Sequence, residues 1–122
     1  MKQERVVILG ASNKTDRYSY KAMKLLQKHG HQTLLVHPAL KEIEGTSVVP
    51  SLKQVEGPVD TITIYTNASV SSAAYDDIVT LKPARVIFNP GTENPALEEK
   101  LANAGIPSEE ACTLVLLTTG QY

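Results

Sequence analysis

The sequence predicts an α/β protein built on a doubly wound parallel β-sheet of about five strands, with helices on both faces. Short apolar runs rich in β-branched residues alternate along the 122 residues with segments of helical spacing. The first run, residues 6–9, is apolar at every position, as expected of a parallel strand covered on both faces. The length is that of one domain, so we expect residues 1–122 to form a single domain.

The strands are predicted from apolar segments of strong β propensity. Four of them are clear: residues 6–9, 33–36, 60–65 and 84–88. Residues 106–110 could add a short edge strand. Residues 113–117 could be a strand or a buried turn of helix, because periodicity cannot separate the two in so short a run.

Helices are predicted between the strands, over residues 18–29, 67–81 and 94–105. The first places residues 18, 22, 25, 26 and 29 on one face. Asn67 or Ser69 can cap the second, and Asn94 followed by Pro95 gives the third an N-cap and a first-turn proline. The segment between the second and third strands is predicted as a loop at 41–45, an extended piece at 46–50 and one helical turn at 51–55.

Composition and charge exclude several classes of protein. The net charge is −1 and no basic block occurs, so we do not expect a nucleic-acid partner. No apolar run approaches the roughly 20 residues of a membrane span, and no signal segment opens the chain. A single cysteine cannot form an internal disulfide, which favours a cytoplasmic protein.

Polar or glycine-containing segments follow the four clear strands. In open parallel sheets, ligands bind beyond the carboxyl ends of the strands, at the point where the strand order reverses. These segments are therefore expected to line one cleft. The candidate binding residues are Gly10, Ala11, Ser12, Asn13, Lys14, Arg17, Ser19, His37, Pro38, Lys41, Tyr65, Thr66, Asn67, Asn89, Pro90 and Gly91.

The loop from Gly10 to residue 17 has the composition of a phosphate-binding turn. A glycine permits a tight turn, and the following helix start offers free N–H groups and a positive dipole end. Ser12 and Asn13 can donate hydrogen bonds, and Lys14, Arg17 and Lys41 are candidate phosphate partners. The loop thus predicts a phosphate-rich ligand.

A dinucleotide site is less well supported. The usual motif has three glycines and an acidic residue after the second strand for the ribose hydroxyls. Here Gly10 is the one glycine of the three, and His37 stands where the acid is expected. We therefore expect a nucleotide whose ribose is not held by a carboxylate.

The chain resembles the small stand-alone CoA-binding proteins, which are similar to the N-terminal domain of the succinyl-CoA synthetase α subunit. The residues that carry the resemblance are Gly10-Ala11-Ser12, Ser19, Gly30, His37-Pro38, Glu42-Ile43 and Gly45, within residues 6–105. The resemblance implies a Rossmann-like CoA-binding fold. It places Ser12, Asn13 and the following loop on the phosphates and Lys41 near the nucleotide. Residues 65–67 and 89–91 would line the rest of the cleft.

The sequence departs from these relatives near its end. Many relatives carry an Arg-Cys pair with a nearby Pro and Glu, whereas here Ala111 precedes Cys112. The chain also lacks the phosphohistidine domain and ATP-grasp partner on which the ligase depends. The resemblance therefore implies binding rather than catalysis.

The expected function is that of a CoA- or acyl-CoA-binding module without catalysis of its own. The alternatives are an NAD(P)- or other nucleotide-dependent enzyme, and a regulatory or scaffold domain that has lost its ligand. The serines have no evident histidine partner, and His29 and His31 lack a third metal ligand nearby in sequence, so neither a catalytic residue nor a metal is predicted. A phosphorelay receiver is excluded, because Gly10 and Tyr65 occupy the positions of its acids. An exposed edge near the apolar C-terminus would permit a homodimer or another protein partner.

Overall fold

The computed structural model describes residues 3–122 and contains one seven-stranded sheet. The strands are β1 (Arg5–Leu9), β2 (Gln32–Val36), β3 (Glu42–Ile43), β4 (Thr46–Val49), β5 (Thr61–Ile64), β6 (Arg85–Phe88) and β7 (Ser108–Glu110). Their order is β3-β4-β2-β1-β5-β6-β7, and all neighbours are parallel except β3 and β4. The predicted Rossmann-like class is confirmed, with more strands than expected.

Helices cover both faces of the sheet. They are α1 (Tyr18–Lys28), α2 (Ala68–Ala73), α3 (Tyr75–Leu81), α4 (Pro95–Asn103) and α5 (Thr113–Thr118), with a 3-10 turn at Leu52–Gln54. Residues of α1 and α5 pack with Val6 and Ile8 of β1. Residues of α3 and α4 pack on the opposite face with Val7 and Leu9. The alternation of side chains along β1 therefore divides the core into two layers.

β1 lies at the centre because it is apolar on both faces. It pairs with β2 on one side and with β5 on the other. Val6, Val7 and Ile8 have no exposed surface. Each such side chain contributes about 1.5–3 kcal/mol by burial, so the strand that carries the glycine turn is firmly held.

Residues 41–45 were predicted as a loop, and that prediction is wrong. Ile43 of β3 pairs antiparallel with Thr46 of β4, and the two strands are joined at Glu44 and Gly45, which both have positive φ (49° and 85°). Such a two-residue turn matches the twist of a hairpin. The usual Asn-Gly or Asp-Gly signal is missing because Glu44 takes the first position. Its carboxylate instead accepts a hydrogen bond from Lys24 of α1 at 2.7 Å.

The buried face of α1 also differs from the prediction. Its buried residues are Ser19, Ala22, Met23 and Leu26, whereas Tyr18 is 68% exposed. His29 is exposed as well and its Nδ1 lies 2.8 Å from the Leu25 carbonyl oxygen. The buried face of α1 is therefore shifted by about one residue towards the C-terminus relative to the predicted face, and Ser19 rather than Tyr18 is buried.

The helix predicted over residues 67–81 is interrupted at Ala74, which separates α2 from α3. Asn67 is the N-cap, and its Oδ1 accepts a hydrogen bond from the Val70 N–H at 3.0 Å. The side chain of Asn94 donates to the Ala68 carbonyl oxygen and to the hydroxyls of Ser71 and Ser72. Because Asn94 is the N-cap of α4, these contacts join the start of α4 to α2.

The two C-terminal segments are now assigned. Residues 108–110 form the edge strand β7, and residues 113–118 form helix α5 rather than a strand. Thr113 and Leu117 are its buried residues. α5 packs on α1, and its sequence was ambiguous because periodicity cannot separate a strand from a turn of helix in so short an apolar run.

Candidate functional site

A cavity of about 560 Å³ lies at the carboxyl edge of β1, β2 and β5. The strand order reverses at β1, since the chain passes first to β2 on one side and later to β5 on the other. We call this the central cavity. It is lined by Gly10, Ala11, Ser12, Asn13, Lys14, Arg17, Ser19, His37, Pro38, Leu40, Tyr65, Thr66 and Val70. Most of the residues predicted from sequence therefore come together.

Gly10 makes the turn that leaves β1. Its φ is +94°, and a Cβ built there would lie 2.9 Å from Thr66 Cγ2 and 3.2 Å from the Tyr65 carbonyl group. The N–H groups of Gly10 and Ala11 both donate to the Val36 carbonyl oxygen, at 3.1 and 3.0 Å. The N–H groups of Gly10 and Ala11 are therefore hydrogen-bonded within the fold and are not available to a ligand. Any phosphate contacts must come from donors further along the loop.

The next donors are free. Ser12 Oγ accepts a hydrogen bond from the Lys14 N–H at 3.1 Å, so its own O–H remains available. Within residues 3–122, the N–H groups of Ser12 and Asn13 have no hydrogen-bond partner. The cationic groups of Lys14 and Arg17 belong to exposed residues in the same loop. Hydrogen-bond donors and positive charge thus converge on the central cavity.

The start of α1 adds to this positive character. Arg17 is its N-cap residue, no side chain caps the helix, and the first turn contains no acidic residue. The first N–H groups of a helix lack partners within the helix and carry the positive end of its dipole. Ser19, in this first turn, is only 5% exposed and lines the cavity. The arrangement suits an anion.

His37 holds the turn that follows β2. Its Nδ1 accepts hydrogen bonds from the N–H groups of Ala39 and Leu40, at 3.0 and 3.1 Å. Because Nδ1 is an acceptor, the ring proton lies on Nε2. The side chain can offer a ligand one donor, where a dinucleotide fold places an acidic acceptor.

Tyr65 and Thr66 line the cavity from the end of β5. Their hydroxyl oxygens are buried and have no hydrogen-bond partner in the part of the chain that the structure describes. Burial raises the pKa of Tyr65 to about 12, although the nearby hydroxyls of Thr63 and Thr113 offset part of the increase. The phenol therefore stays neutral at physiological pH, and its ring acts as a wall of the site.

Asn89 lies outside the central cavity and forms hydrogen bonds within the fold. It is 3% exposed, and its amide nitrogen donates to Thr63 Oγ1 at 2.6 Å and to the Ile64 carbonyl oxygen at 2.9 Å. Its Oδ1 accepts from the Thr113 N–H at 2.9 Å. The side chain joins β5, β6 and α5, and its polar atoms are already used.

Four other candidates also lie outside the central cavity. Asn67 caps α2, and Lys41 is exposed, with its carbonyl oxygen accepting from the Val48 N–H at 2.9 Å. The Gly91 N–H donates to the Glu93 carboxylate at 3.0 Å. Pro90 lines a separate cavity described next. These candidates follow strands at the same edge of the sheet as the central cavity but do not line it.

Two smaller cavities flank the central one. The tyrosine-side cavity, of about 360 Å³, is lined by Tyr18, Tyr65, Asn89, Pro90, Cys112, Leu114 and Val115. The proline-side cavity, of about 240 Å³, is lined mainly by apolar residues, including Pro38, Pro50, Leu52 and Val70. Each shares residues with the central cavity: Tyr65 on one side, and Gly10, Pro38, Thr66 and Val70 on the other.

Sequence reasoning missed two residues of the central cavity, Leu40 and Val70. Val70 is an apolar residue within the helix predicted over residues 67–81, yet it is 47% exposed. A signal was present for it, because it lies three residues beyond the capping Asn67 and so in the first turn at the carboxyl edge. Leu40 carried no such signal.

A model of the family described as the CoA binding domain matches residues 4–118. The chain belongs to this CoA-binding domain family. None of the helices among the described residues is long and apolar enough to cross a membrane. From residue 3 onwards, no three His, Cys, Asp or Glu residues are grouped as potential metal ligands.

Solved structures of similar proteins agree with this fold. An uncharacterised protein of known crystal structure is 42% identical over the whole of both chains, with a TM-score of 0.93. A Thermus thermophilus protein, cell-free ID.343, is 25% identical, with a TM-score of 0.88 over 98% of this chain and 91% of its own.

The uncharacterised protein YneT of Bacillus subtilis is similar in sequence and is 31% identical over 64 residues, 52% of this chain. That match covers 47%, about half, of this curated relative.

Proposed function

We propose that this member of the CoA-binding domain family binds CoA or an acyl-CoA in the central cavity and has no catalytic activity of its own. The observation that carries the proposal is the loop between β1 and α1. It combines the free N–H groups of Ser12 and Asn13, the exposed cations Lys14 and Arg17, and an uncapped helix start. Phosphate groups satisfy all three features.

The shape of the edge supports CoA over a simple phosphate. CoA carries its phosphates between an adenine nucleotide and a long pantetheine arm. The central cavity likewise lies between the proline-side and tyrosine-side cavities. Their volumes lie within or near the usual range for ligand sites, roughly 300–1,000 Å³.

The turn after β2 supports CoA over NAD. His37 offers a donor from Nε2, because its Nδ1 is occupied by the N–H groups of Ala39 and Leu40. A free ribose diol is usually held by a carboxylate acceptor at this position. The ribose of CoA carries a 3′-phosphate, which needs donors instead.

A thermal-shift comparison tests this proposal. CoA should raise the melting temperature more than NAD or NADP at equal concentration. At 100 times its dissociation constant, a ligand adds about 2.7 kcal/mol of stability, or roughly 10 °C for a chain of this size. An equal or larger shift with NAD would favour the nucleotide-dependent enzyme, and no shift with any of them would favour a domain that has lost its ligand.

A further inference from the structure

The loop residues proposed to bind the phosphates line the central cavity and do not line the tyrosine-side cavity. It lies between the start of α1 (Tyr18), the ends of β5 and β6 (Tyr65 and Pro90), and α5 (Leu114 and Val115). It is more enclosed than the central cavity, although Tyr18 and Val115 are 68% and 53% exposed at its rim. Large apolar side chains are thus left at the mouth of a recess.

The residues that line this cavity offer a ligand no charge and no free amide group. No charged side chain occurs among the described residues that line it. Asn89 is the one amide side chain there, and both ends of its amide are hydrogen-bonded within the fold. The Tyr65 hydroxyl is buried beneath the surface, so the tyrosine contributes its ring. Such a lining favours an uncharged, aliphatic group.

The cavity adjoins the proposed phosphate site. Tyr65 lines both, and Tyr18 of this cavity follows directly on Arg17 of the central one. We propose that the tyrosine-side cavity receives the end of the pantetheine arm together with the acyl group of a short-chain aliphatic acyl-CoA, which makes an acyl thioester, rather than free CoA, the preferred ligand. This inference rests on the binding of CoA in the central cavity.

The same lining distinguishes between classes of acyl group. Each methylene moved from water into the cavity should improve affinity by up to about fourfold. A terminal carboxylate, as in a succinyl group, would lose water without gaining a cationic partner. The cavity therefore selects against dicarboxylic acyl groups.

Calorimetric titration of the purified chain with CoA, acetyl-CoA, butyryl-CoA and succinyl-CoA tests the inference. We expect affinity to rise from CoA through acetyl-CoA to butyryl-CoA, with butyryl-CoA at least tenfold tighter than CoA. Succinyl-CoA should bind no more tightly than acetyl-CoA.

A charge at the cavity mouth provides the matching variant. Val115 lines the tyrosine-side cavity but not the central one, and it is exposed enough to be replaced without loss of the fold. Val115→Asp should reduce the preference for butyryl-CoA over CoA to less than threefold, because it places a carboxylate beside the acyl group. Thr118→Asp adds the same charge to the same helix outside the cavity and should retain the full preference.

The outcomes separate the two proposals. If CoA and butyryl-CoA bind with equal affinity, or if Val115→Asp and Thr118→Asp affect the preference equally, the acyl site is wrong while the CoA site stands. If neither CoA nor any acyl-CoA binds, the CoA site fails and the acyl site fails with it.

Discussion

Replacing Gly10 with valine is expected to abolish CoA binding and to lower the free energy of unfolding by about 2–6 kcal/mol. Two costs add up. A β-branched residue is strained at a φ of +94°, by roughly 1–3 kcal/mol. Its Cβ would also lie 2.9 Å from Thr66 Cγ2 and 3.2 Å from the Tyr65 backbone, an overpacking that costs about 1–3 kcal/mol. Relief of this clash must move the loop away from β5.

Gly30→Val is the matched control for this variant. Gly30 also has a positive φ, +87°, but nothing lies within 4 Å of a Cβ built there. It should show the strain without the clash and leave CoA affinity unchanged. Ser12→Ala should weaken binding with little loss of stability, because it removes the hydroxyl offered to the ligand and, within the fold, a single exposed hydrogen bond from the Lys14 N–H. Denaturant unfolding measures the free energy of unfolding of each variant, and calorimetric titration measures its affinity for CoA. If Gly10→Val binds CoA with wild-type affinity, the phosphates do not bind at this turn.

Removal of the loop cations should weaken CoA binding while the fold remains intact. Lys14 and Arg17 are exposed and make no salt bridge within residues 3–122, so the chain does not need them for stability. Each lost charge-assisted contact with phosphate should cost about 1.5–3 kcal/mol, or roughly 10- to 150-fold in affinity. Because the contacts are open to solvent, the loss should shrink at high salt.

Lys14→Ala, Arg17→Ala and the control Lys53→Ala can be compared by titration at low and high salt. Lys53 is also exposed but lies on the 3-10 turn outside the central cavity. The Lys53→Ala variant should therefore bind CoA with the same affinity as the wild-type protein. Equal affinities for all three variants would mean that Lys14 and Arg17 are ordinary solvated charges.

The parallel sheet was predictable from the sequence because its inner strands carry their evidence locally. β1, β5 and β6 are buried along nearly their whole length, so each requires a continuous apolar or β-branched run. The position of the cavity followed from the same pattern, since the carboxyl ends of neighbouring parallel strands must meet at one edge.

The errors arose where a partner distant in sequence decides the outcome. The hydrogen bonds of Asn89 could not be predicted from its position at the end of a strand, because its partner Thr113 lies 24 residues further on. The hairpin turn at Glu44 lacked its usual residue, and its carboxylate is held by Lys24 of α1. Neither contact has a local signature in the sequence.

The central claim is that CoA binds at the carboxyl edge of the sheet, with its phosphates on the loop between β1 and α1. Titration of ¹⁵N-labelled protein with CoA, followed by amide NMR shifts, tests it most directly. We expect the largest shifts at Ser12, Asn13 and Ser19, with further shifts at Leu40 and Thr66. Shifts confined to the open groove between α1 and α5, around Lys24, Lys28 and Thr118, would contradict it.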